Sequence, residues 1–189
     1  MLKWLLRNRI NAFERKLGYD MSYAREIVDA DPMAMLAFFK ATKLGTYCRD
    51  LPRDARWAAG LVAIVSEDCG PCTQLTVTMA LAEGISPKLL SAVLSGDTAA
   101  MSEDVALVVR FCRATIDRSA EADVAREQIL AKWGPRALIS LAFAITTARM
   151  YPTVKYAMGY GKECQRINVA GTPVAVASAL REVRGAQAA

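Results

Sequence analysis

The chain has 189 residues, of which 53% are hydrophobic and 23% charged, and neither Gly (11) nor Pro (7) is enriched. That balance excludes a disordered, collagen-like or low-complexity protein, and the length favours one domain with a single core. The net charge of +5, from 24 basic and 19 acidic residues, is interspersed except near the start, so no nucleic-acid partner is expected.

Apolar residues recur at helical spacing along nearly the whole chain, which predicts an all-α, multi-helix bundle. Residues 2–17 place Leu2, Leu5, Leu6, Ile10, Phe13 and Leu17 on one face, with Lys3, Arg7, Arg9, Arg15 and Lys16 opposite. Gly18 suits a left-handed cap. With Trp4 among its leucines, this helix is expected to pack on the body or on another subunit in preference to a membrane surface. Residues 22–30 form a shorter helix. Asp31-Pro32 supplies an N-cap and a first helical residue for the next, which carries Met35, Leu36, Phe38, Phe39 and Leu44 and stops near Gly45.

Asp50-Leu51-Pro52 opens a helix that is apolar from Trp57 to Val65. Cys69-Gly70-Pro71-Cys72 starts another, running to Glu83 and capped by Gly84, and Ser86-Pro87 begins a short one ending near Ser95-Gly96. Ser102-Glu103-Asp104 puts a cap and two acids where the helix dipole favours negative charge, ahead of Val105, Val108, Val109, Cys112 and Ile116. Helices over 121–133, 135–150, 152–162 or beyond, and 173–184 complete the series. The whole reads as one helical domain over 1–184 (N-terminal helices 1–50, a core segment 51–96, C-terminal helices 97–184), with 185–189 as a frayed tail. Met33, Met35, Met79, Met101, Met150 and Met158 are expected as core filler.

The longest stretches without Asp, Glu, Lys or Arg are 14 residues, at 69–82 and 167–180. Both are shorter than the roughly 18–20 residues of a membrane span, so no transmembrane helix is expected. The opening segment is too short in its apolar part for a signal peptide, and a cytoplasmic location follows as the expectation. Five cysteines, an odd number, then read as thiols rather than a secreted disulfide framework. There is no histidine. Ser-His-Asp and Cys-His catalysis are thereby excluded, and acid–base work falls to Glu, Asp, Lys, Tyr, Cys or water.

Cys69 and Cys72 are the candidate reactive groups. Two cysteines three apart on a helix have Cα atoms about 5–5.5 Å apart, within disulfide range. Pro71 suits the first helical position, which leaves Cys69 just outside the helix and Cys72 in its first turn. The dipole lowers a thiol pKa there, most directly at Cys69, whereas Glu67 and Asp68 act against it. A zinc site needs two more ligands, and Cys48, Cys112 and Cys164 form no second pair, so core roles are expected for those three. A thioredoxin is set aside because the flanks are helical and residue 68 is Asp. Thr73 and Gln74 are expected to face a cap or solvent.

The helix over 56–66 leads into Cys69-x-x-Cys72, and the next carries Ala80, Ala82 and Gly84, then Ile85-Ser86-Pro87 and Leu89-Leu90. Over residues 51–96 this succession resembles the AhpD-like alkylhydroperoxidase group of the carboxymuconolactone decarboxylase family. The resemblance implies an all-helical homo-oligomer with a dithiol–disulfide couple, a hydroperoxide or disulfide substrate, an external thiol reductant, and no metal or organic cofactor. It assigns the sulfenic acid to Cys72 and the resolving or proton-donating role to Cys69.

The family's relay uses a His four residues after the second cysteine and a Glu twelve before the first. Those positions are Thr76 and Trp57, neither of which relays a proton that way. Glu67, Asp68, or water held on Thr76 and Gln74 are the candidate replacements. Glu83 shares a stripe with Cys72 but stands about 16 Å along the axis. Two rivals follow. A decarboxylase-like lyase predicts an Arg- or Lys-lined pocket for an acidic substrate. A non-catalytic oligomeric binding or assembly protein predicts buried, peroxide-inert Cys69 and Cys72 with no open pocket.

Overall fold

A computed structural model describes residues 1–161 and 167–177, and its helix boundaries follow the caps written in the sequence. Helix α1 (Leu2–Leu17) closes at Gly18, whose φ of 60° is left-handed. After α2 (Ser22–Ala30), the Asp31 carboxylate accepts from the Met33 N–H and starts α3 (Pro32–Thr42), which tightens into a 3₁₀ turn over Lys43–Thr46. Then come α4 (Arg53–Val65), α5 (Gly70–Ala82) and α6 (Pro87–Ser95). Ser102 caps α7 (Glu103–Asp117) by accepting from the Val105 N–H.

Two departures from the expected helices lie in the last third. In residues 121–157, labelled α8 (Glu121–Ala157), the separate helices predicted at 121 and 135 are present, but the one predicted to start at 152 simply continues its predecessor. A break does occur at Gly134, whose φ of 77° kinks the axis before Pro135. Pro152 deletes one backbone hydrogen bond without ending the helix; it is itself buried, between the buried Thr147 and Lys155. The element ends at Ala157, so the part of the 152–162 expectation beyond Gly161 falls outside the described residues.

The second departure is the helix expected to start at Pro173. Pro173 instead lies in β2 (Thr172–Val174), paired antiparallel with β1 (Ile167–Val169) across a turn in which Ala170 and Gly171 both have positive φ. Such a turn matches the twist of a hairpin, and a two-stranded ribbon is all edge, where proline is tolerated. Its alternation (Ile167 and Val169 inward, Asn168 outward) is three residues long, too short to register as a period. Cys164, residues 178–184 of the expected last helix, and the 185–189 tail lie outside the described residues.

Two apolar clusters result. The larger joins α4 to α8 and β1, with α4 at its centre: Ala55, Ala58, Ala59, Leu61, Val62 and Ala63 are all buried. The alanines let α7 and α8 approach α4 closely, and Leu94, Val108, Ile129 and Leu141 fill the remaining space. The smaller cluster belongs to α1–α3 and the loop before α2, with Leu6, Ile10, Tyr19, Tyr23, Val28 and Met35 buried. Met33 is exposed, against the expected core role, and Leu2, Trp4 and Leu5 at the start of α1 are left uncovered by this chain.

At 37 residues, α8 is also long and apolar enough to cross a membrane by length and composition, which charge-free runs alone do not reveal. Here its Ala137, Leu141, Ala144 and Ile145 are part of the larger core.

Candidate functional site

Helix α4 ends in the turn Ser66-Glu67-Asp68, where Asp68 takes a left-handed φ of 52° and its carbonyl accepts from the Tyr156 hydroxyl at 3.0 Å. This turn delivers Cys69 as the N-cap of α5, with Gly70 and Pro71 opening the helix and Cys72 in its first turn. Pro71 is thus the second helical residue rather than the first, a shift of one that leaves both cysteines where the spacing puts them. Cys69 and Cys72 are joined by a disulfide, with Cα atoms 5.3 Å apart.

The two sulfurs have different surroundings. Cys69 is fully buried in the larger core. Cys72 is also buried, with 2% of its surface accessible, but it stands on the wall of a cavity of about 450 Å³, within the range of small-molecule sites. Three helices each give the cavity one stripe of side chains at helical spacing: Arg56, Gly60 and Ile64 from α4, Cys72, Thr76 and Met79 from α5, and Ala144, Thr147 and Tyr151 from α8. Residues of α1–α3 cover it, and the exposed Arg9, Thr46 and Met79 on its wall connect it to solvent.

Tyr19 is a polar neighbour of the cysteine pair. Its hydroxyl lies 3.5 Å from Cys72 Sγ, and Lys155 Nζ donates to the same hydroxyl at 3.0 Å. A disulfide sulfur carries no proton, so the phenol is the donor toward Cys72. Lys155 is buried, with its ammonium 4.8 Å from the Tyr19 ring centre and 5.5 Å from that of Tyr23. Burial holds both phenols above the usual tyrosine range, so Tyr19 is a neutral donor. Lysine, phenol and sulfur therefore form one hydrogen-bonded file.

The candidate replacements for the family relay lie elsewhere. Glu67 is buried, as desolvation of a base would require, but its carboxylate accepts from Arg149 Nε at 2.6 Å and it is not on the cavity wall. Asp68 is likewise absent from the wall. Thr76 is on the wall, yet its hydroxyl donates to the Cys72 carbonyl. Trp57 lines the cavity and donates to Glu83 Oε2 at 3.3 Å, which places Glu83 at the far end of the α4–α5 pair from Cys72. Thr73 is buried and donates to the Cys69 carbonyl rather than facing solvent. Gln74 clamps β1 through the Asn168 N–H and C=O.

Among the other thiols, burial pushes that of Cys112 upward, and Cys48 is half-buried with its sulfur near the Leu51 carbonyl. Among the described residues no group of three Cys, Asp or Glu side chains is placed to hold a metal ion.

No family model matches the chain, and comparison with curated proteins and with solved structures finds no match either. The likeness to the AhpD-like group therefore stands on the residues of the 51–96 segment alone.

Proposed function

We propose that this protein is a thiol-dependent oxidoreductase of the AhpD-like type, which reduces a hydroperoxide, or a partner's disulfide, by cycling Cys69 and Cys72. The observation that carries the reading is the asymmetry of the pair: Cys72 faces a cavity beside a phenol, and Cys69 lies behind it. That arrangement favours the division of labour implied by the resemblance over the one implied by the helix dipole, because the attacking sulfur must meet substrate.

In the reduced state the Cys72 thiolate attacks the outer oxygen of the hydroperoxide. An S–O bond forms, the O–O bond breaks, and the leaving alkoxide takes a proton to become an alcohol. Tyr19 is placed to supply that proton, with Lys155 behind it. Cys69 then attacks the sulfenic sulfur, the S–S bond forms, and the hydroxide leaves as water with the Cys69 proton. An external dithiol returns two electrons and two protons. With a partner's disulfide as substrate, Cys72 attacks one of its sulfurs and Cys69 resolves the mixed disulfide.

The experiment is a titration of free thiols before and after a hydroperoxide is added to the reduced protein, in wild type and in Cys69→Ser and Cys72→Ser. The expected outcome is loss of two thiols per chain only when both cysteines are present. Unchanged thiols in the folded wild type reject the reading and favour a binding or assembly role.

One observation favours the lyase as a second reading, since the charged residues on the described cavity wall are Arg9 and Arg56. That reading predicts an activity that persists when Cys69 and Cys72 are replaced. Assembly as a homo-oligomer belongs to the same proposal, and Leu2, Trp4 and Leu5 are exposed apolar residues that a second copy could cover.

A further inference from the structure

The cavity has a second polar end. At the first turn of α4, Arg56 Nη2 donates to the Gly45 carbonyl, while Arg56 Nε is buried and has no partner. Thr147, 6% exposed, packs against Gly45, where an added Cβ would stand 2.9 Å from its methyl carbon. Its hydroxyl is also buried without a partner. All three residues line the cavity. Buried polar groups are nearly always hydrogen-bonded, so an unpaired guanidinium N–H, which can only donate, and an unpaired hydroxyl, which can donate, on the walls of one cavity call for an acceptor. Charge narrows its nature. The described wall carries Arg9 and Arg56 and no carboxylate, and the rest of it is aromatic, aliphatic or neutral polar.

The helix directions fix where this end lies relative to the sulfur. Glu83, just past the end of α5, bonds Arg53 and Trp57 in the first turns of α4, so α4 and α5 run antiparallel. Arg56 therefore sits level with the end of α5, and Cys72 with the end of α4. From Arg56 to Ile64 along α4 is about 12 Å at 1.5 Å per residue. Helix α8 repeats the order, with Thr147 packed against Gly45 and Lys155 reaching Tyr19 beside Cys72.

We infer that the cavity binds an amphipathic organic carboxylate, with its head on Arg56 and Thr147 and its apolar body extending about 10–12 Å toward Cys72. Both unpaired atoms have almost no accessible surface, so such a ligand satisfies them once the two side chains turn into the cavity, and its body covers the apolar wall. That its far end carries the group on which Cys72 acts rests on the oxidoreductase reading above; the binding of the head does not.

The test is calorimetric titration of the full-length oxidised protein with dodecanoate, dodecanol and dodecyltrimethylammonium, the two ions below their micelle concentrations and the alcohol below its solubility limit. Calorimetry reads binding alone, so it succeeds or fails independently of whether either sulfur reacts. The expected result is that dodecanoate binds about tenfold or more tighter than dodecanol, the worth of a charge-assisted hydrogen bond, and that the cation does not bind. Arg56→Leu and Thr147→Val are expected to bring that ratio toward one, and Ala148→Phe, which fills the cavity, to abolish binding of both. Equal binding of acid and alcohol by wild type overturns the inference, as does tighter binding of the cation. A ratio unchanged in folded Arg56→Leu also overturns it. Should that variant fail to fold, the head-group series in wild type decides.

Discussion

The α4–α8 core and the α1–α3 layer supply different things to the same site. The core is apolar and dense, with α4 buried among alanines and branched aliphatics, and it holds the backbone that delivers Cys69 and Cys72 to the start of α5. The N-terminal layer is built around aromatic and polar groups: Tyr19 and Tyr23 beside Met35, with Arg9, Phe38 and Phe39 on the cavity wall. The core therefore positions the sulfurs, and the layer sets a phenol and part of a cavity wall beside one of them. A resemblance confined to 51–96 covers the first contribution and is silent on the second, which is why the missing His and Glu do not empty the site of acid–base groups.

Substitutions that separate these contributions test the comparison, beginning with the largest effect. Cys72→Ser is expected to abolish hydroperoxide-dependent thiol loss while leaving the helical circular dichroism unchanged. Tyr19→Phe keeps the ring and removes only the hydroxyl. It is expected to slow oxidation of the pair by about 100-fold, at the low end of general acid catalysis, with little change in melting temperature. Stopped-flow thiol kinetics against a differential scanning trace reads both quantities.

Leu61→Ala in the core is expected to do the reverse, costing about 2–5 kcal/mol in a denaturant titration while leaving the rate per folded molecule near wild type. Glu67→Gln weakens the ion pair of buried Glu67 with the partly exposed Arg149 and is expected to cost about 1 kcal/mol with less than a twofold change in rate. A large loss of rate there would restore Glu67 as the base.

The smallest expected effect concerns the seam inside the layer. Hydrogen bonding from Arg25, assisted by the Met21 N–H, holds the Glu14 carboxyl below the usual carboxylate range. A carboxyl depressed in the folded state stabilises the fold above its unfolded pKa, and that contribution is lost as pH falls through the folded value. Both side chains are partly solvated, so the expected worth is under about 1 kcal/mol at neutral pH. Unfolding midpoints of Glu14→Gln and wild type are therefore expected to differ slightly at pH 7 and to converge in acid.

Helix starts and ends were the most legible part of the fold, because their signals are local. Asp31-Pro32, Ser102 and the glycines at 18 and 96 each satisfy or release backbone groups within a turn of themselves, and each appears where its chemistry requires. Pro152 shows the limit of local rules, since a proline inside a well-packed helix is an energetic cost rather than a stop. The ribbon at Pro173 shows another: three residues cannot display a period, and what fixes β1 in place is a distant amide, that of Gln74.

The site divides the same way. Cys69 and Cys72 are neighbours in sequence and could be placed at a helix start by inspection. Tyr19 lies 53 residues from Cys72 and 136 from Lys155, and nothing in composition or spacing links the three. A tyrosine after a helix-capping glycine and a lysine in an apolar helix are each ordinary, and only the packing of α1–α3 onto α8 makes them a pair.

The most direct test of the division between the two sulfurs is mass-spectrometric mapping of sulfenic acid, trapped with dimedone after one equivalent of hydroperoxide. Reduced Cys69→Ser is expected to carry the adduct on Cys72, and reduced Cys72→Ser to carry none on Cys69. An adduct on Cys69 with none on Cys72, or on Cys48 or Cys112 alone, would contradict a mechanism in which the cavity-facing sulfur is the one that meets substrate.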